Sequence, residues 1–137
     1  MSNYAERITE LRVKIARLDD EIGVAEFRAD FRGGSELEAE RCAEYSRDAV
    51  GYRRERSALM AQLEAVQDAE FVETARAIVA TGGEPWDVLN RLALTVRYGS
   101  GPTKRALYDL VTWDDRAPAV RLSEVTAILD AASQVQP

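Results

Sequence analysis

Apolar side chains recur through the first part of the chain at Tyr4, Ile8, Leu11, Ile15, Leu18, Ile22 and Ala25, in alternating steps of four and three residues. That spacing is the stripe of a helix that pairs along a coiled-coil seam. Asn3, with Glu6 three residues later, predicts a capping box at its start. The helix is expected to stop at Gly33-Gly34, because glycine takes the left-handed conformation that closes a helix. Ser35 and Glu38 then predict a second capping box, and Glu36 suits the positive end of the helix it opens. A second stripe follows at Cys42, Tyr45, Ala49, Tyr52, Arg56, Leu59, Leu63 and Val66. Folding the chain at the glycines sets Tyr4 opposite Leu63, Leu11 opposite Arg56, Leu18 opposite Ala49, Ile22 opposite Tyr45 and Ala25 opposite Cys42, so that a positions meet d positions throughout. Residues 1–66 are therefore predicted to form a long antiparallel coiled-coil helical hairpin with its turn at 33–34.

Beyond Val66 the seam would continue with Glu70 and Glu73, so it ends there. The helix itself meets no breaker before Gly82-Gly83, and its apolar residues move to a new face at Phe71, Val72, Ala75, Ile78 and Val79. Helix 2 then outruns helix 1 by roughly 20 Å, an overhang that other elements must cover. Three short helices are available. One starts at Pro85 and carries Trp86, Leu89, Leu92, Ala93 and Val96; another runs from about Thr103 to Trp113. The last is expected to be capped by Ser123, with Leu122 as a staple before it. Residues 67–137 are predicted to be a small helical bundle built on the overhang, with Trp86 and Trp113 as core anchors. The fold class is all-α.

Composition narrows the functional classes. The chain contains no histidine and one cysteine, Cys42, which is read as a small buried hydrophobe. This removes the commonest general base and metal ligand, every Ser-His or Cys-His arrangement, an internal disulfide and any cysteine-based zinc site. The expectation is a non-enzymatic protein without cofactor or metal. Net charge is −6, which gives no basic footprint for nucleic acid. No apolar run approaches the roughly 18 residues that span a bilayer, and residues 1–10 lack the charged start and apolar stretch of a signal peptide. No membrane association and a cytoplasmic location are expected. Arginine far outnumbers lysine, as in proteins from G+C-rich bacterial or phage genomes.

Two places carry candidate contacts. Near the hairpin turn Val24, Phe27 and Phe31 occupy heptad positions that face water, with Leu37 just past the turn. An apolar patch there marks a contact with a partner protein or with a second copy of the chain. Arg56, inside the seam, either lays its stem over Leu11 and reaches Glu10 or solvent, or faces a carboxylate on another chain. The second place is the loop from Arg97 to Arg105, where glycines precede a helix start that bears Lys104 and Arg105, with Arg91 and Arg97 nearby. It is either a flexible inter-helix connector or a phosphate or nucleic-acid site. The acidic runs Glu36, Glu40, Glu44 and Asp19-Asp20-Glu21 read as solvated helix faces.

A long hairpin with acidic residues Asp30, Glu36 and Glu38 at its tip resembles in shape the transcription factors that insert a coiled coil into the RNA polymerase secondary channel. The helical C-terminal part departs from those families. The leading expectation is a self-associating interaction or assembly protein of a bacterial or phage system. The alternative is a transcription regulator or nucleic-acid-binding module acting through the acidic tip or the 97–105 loop.

Overall fold

The computed structural model describes residues 3–29 and 36–135, apart from the side chains of Leu37 and Val135. The expected turn at Gly33-Gly34, the Ser35 cap, Asp30 and Phe31 lie outside them. Among the described residues all regular structure is helical: α1 (Tyr4–Ala29), α2 (Glu36–Thr81), α3 (Pro85–Tyr98), α4 (Pro102–Thr112) and α5 (Pro118–Val135). None of these helices is long and apolar enough to cross a membrane. The chain divides into two compact units between Leu63 and Glu64.

In the first unit α1 packs against α2. Leu11, Ile15, Leu18 and Ala25 of α1 and Ala49 and Leu63 of α2 are buried, while Tyr4, Ile8, Ile22, Cys42, Tyr45, Tyr52, Arg56 and Leu59 are half-buried. Among the described residues of this unit, the buried positions of both helices all fall on the two stripes read from the spacing. Polar contacts flank them. Arg56 Nε donates to Asp19 Oδ1 at 2.5 Å, Arg53 pairs with Glu26, and the Arg28 guanidinium lies 5.3 Å over the Tyr45 ring. Cys42 is half-buried rather than buried, and its thiol donates to the Arg28 carbonyl at 3.4 Å. The carboxylate that Arg56 reaches is thus Asp19 rather than Glu10.

The second unit has one core. Phe71, Val72 and Ala75 from the end of α2 meet Val88, Leu89, Leu92 and Val96 of α3, Leu107 and Val111 of α4, and Val125 and Leu129 of α5. Gly82 and Gly83, at φ 76° and 115°, turn the chain out of α2 into α3. Two expectations fail here. α5 begins at Pro118, so Ser123 lies exposed within the helix and caps nothing. Proline presets the helical φ and lacks the N–H that a first-turn residue would leave unpaired, while the Ala117 carbonyl receives the Val120 and Arg121 N–H groups. The tryptophans are not core anchors either: Trp86 is 57% exposed and Trp113 72%. The buried face of α3 is centred on Val88, Leu92 and Val96 and leaves Trp86 outside, and Phe71 with valines and leucines fills the core without an indole.

Candidate functional site

The last turns of α1 carry the apolar side chains singled out by spacing. Val24 is 51% exposed and Phe27 76%, whereas their neighbour Ala25 is buried against α2. Phe31 and the side chain of Leu37, expected in the same patch, lie outside the described residues. Beside Val24 a cleft of about 320 Å³ opens between α1 and α2, lined by Asp20, Glu21, Arg28, Asp48, Tyr45 and Tyr52. Val13, Val50 and Met60 add exposed apolar surface to this unit, which the stripes did not single out. Arg56, half-buried, is held on Asp19 of its own chain.

The 97–105 loop is packed rather than loose. A Cβ on Gly99 would come within 2.6 Å of the Phe71 ring, and one on Gly101 within 2.7 Å of Asp68 Oδ1. Asp68 is buried, and its carboxylate accepts from the Thr103 N–H at 2.8 Å and from the Thr103 hydroxyl at 2.9 Å. The positive N-terminus of α4, where a phosphate would sit, therefore already holds an anion of the same chain. The four basic residues nearby have separate partners. Arg91 donates to the Gly82 carbonyl at 2.5 Å, and Arg105 pairs with Glu64 at 2.9 Å. Arg97 lies against Tyr98 and Lys104 against Tyr108.

A second cleft, of about 400 Å³, was not foreseen from the sequence. Trp86, Asn90, Val111, Asp115 and Arg121 line it at the corner between α4 and α5. Arg121 is buried and caps the end of α4, donating from Nε to the Leu110 carbonyl at 2.8 Å and from a terminal nitrogen to the Val111 carbonyl at 3.1 Å. Arg116 bridges Asp114 and Glu124, at 2.6 Å to each. Hydrogen bonds from the Arg116 side chain, then from its backbone N–H, lower Asp114 from its ordinary 3.8 to about 2. The same guanidinium lowers Glu124, and Glu124 and Asp114 together raise Arg116 above its usual range. Trp86, expected as a core anchor, lines this cleft instead.

Among the described residues no three His, Cys, Asp or Glu side chains lie close enough to hold a metal ion, and Glu36, Glu40 and Glu44 are exposed. Comparison of the chain with protein-family models, curated proteins and solved structures finds no match in any of the three.

Proposed function

We propose that this chain is a non-enzymatic, self-associating interaction or assembly protein of the cytoplasm of a bacterium or phage-infected cell. In this reading α1 and α2 form an antiparallel coiled-coil hairpin that presents its tip to a partner. The order of contacts supports the pairing, since Asp19 meets Arg56 whereas Arg28, later in α1, meets Cys42 and Tyr45, earlier in α2. The observation that carries the contact role is the exposure of Phe27, 76%, beside Val24 on a helix whose opposite face is already covered. Large apolar side chains grouped on an otherwise charged surface mark contacts.

Phe27→Asp tests this. Light scattering should show the particle mass falling toward that of one chain, or an affinity pull-down from the native cell should lose its partner, while circular dichroism keeps its helical signal. Unchanged mass together with unchanged pull-down overturns the tip reading. The competing reading, a nucleic-acid module at residues 97–105, is disfavoured by the Asp68 carboxylate at the α4 N-terminus. Affinity for DNA or RNA that falls steeply with salt would restore it.

A further inference from the structure

The cleft beside Val24 has a chemistry that names its occupant. Its charged lining is three carboxylates, Asp20, Glu21 and Asp48, against one guanidinium, Arg28. Arg28 lies over Tyr45, and among the described residues none of the three carboxylates takes part in an ion pair or hydrogen bond. The cleft therefore presents net negative potential. A compact metal ion does not suit it, because no three carboxylates stand close enough to share one. An extended cation does: a guanidinium or a Lys stem and head contacts separated carboxylates and lies on a ring such as Tyr52. Apolar surface adjoins the site of that cation, since Val24 lines the cleft and the exposed Phe27 follows three residues later on α1. A groove between two packed helices receives the ridge of a third, which places cationic and apolar residues one turn apart on the incoming segment.

We infer that this cleft docks a basic amphipathic helix of a partner protein, one Arg or Lys entering among Asp20, Glu21 and Asp48 while its apolar face covers Val24 and Phe27. The inference rests on the tip-contact reading and adds the sign of the partner's charge.

Fluorescence anisotropy of the full chain with three dye-labelled helical peptides tests it. One peptide carries a leucine face flanked by arginines, one has glutamates for the arginines, and one has serines for the leucines. The arginine–leucine peptide should bind at least about tenfold more tightly than either control, with an affinity that weakens as salt rises. The double substitution Asp20→Asn with Asp48→Asn, at exposed positions without partners, should weaken that peptide roughly tenfold and flatten its salt dependence, without weakening the glutamate peptide. Equal binding of the arginine and glutamate peptides, or a double variant that binds like the parent, overturns the inference. If Phe27→Ser weakens both leucine peptides while the charge variants are silent, the apolar contact stands and the cationic docking fails. Silence of Phe27→Ser as well removes both. Loss of self-association in the double variant without peptide would overturn the partner assignment in favour of a second copy of this chain.

Discussion

Among the described residues, Gly101 is the position where backbone and surroundings together most narrowly restrict the choice of residue. Its φ of 112° excludes most side chains, and the space a Cβ would enter belongs to Asp68. Gly101→Ala should therefore cost about 2–4 kcal/mol of unfolding free energy, through strain and overpacking together. Chemical denaturation checks this, and a loss under about 0.5 kcal/mol would mean that the loop relaxes without penalty. The glycine was visible in the sequence as a loop residue. Its partner was not, because Asp68 lies on another helix and nothing local marks it as a cap. Asp114 gives a pH signature at the same scale. Its folded pKa, about 2, lies below its ordinary 3.8, so its contribution is complete above the ordinary value and is lost as pH falls toward 2. The stability difference between the parent and Asp114→Asn should be flat at neutral pH and shrink across that acid window. A difference that instead changes near neutrality would assign it to another group.

Among the elements α4 depends most on its neighbours. It is 11 residues long, a length at which helices in water are marginal without tertiary support. Its two ends are met by opposite charges from elsewhere in the chain, the Asp68 carboxylate at the N-terminus and the Arg121 guanidinium at the C-terminus. Both signs agree with the helix dipole. Arg121→Met keeps the apolar stem but leaves the Leu110 and Val111 carbonyls without their donor, and should cost about 1–3 kcal/mol in denaturant unfolding. An unchanged midpoint would show that water replaces the guanidinium. The helix was legible in the sequence, from about Thr103 to Trp113, but the caps were not. The start of α5 shows the complementary failure, since Pro118, five residues before the expected Ser123 cap, is its first residue.

At the scale of the molecule the two units differ in how they exclude water. The second encloses side chains at or near zero exposure, Val88, Leu92, Val96, Leu107 and Val125 among them, whereas the buried leucines and isoleucine of α1 each retain 8%. A helix pair screens only one stripe, while four helical segments enclose a volume. Hydrogen exchange should accordingly be slower for α3 amides around Leu92 than for α1 amides around Ile15, and equal protection would contradict this ranking. Leu92→Ala should cost about 2–5 kcal/mol by denaturant unfolding, most of it from the cavity left in a filled core.

The sequence by itself determined the helical class, the long unbroken α2, the change of apolar face near Val66 and both stripes, because each follows from residue spacing along a single helix. It also located Val24 and Phe27, by their departure from the stripe. Tertiary structure alone decided where Arg56 points, which carboxylate caps α4, that both indoles stay in solvent, and that three carboxylates share a cleft with two tyrosines. These depend on the register and rotation of one helix against another, which are settled only where side chains distant in sequence meet.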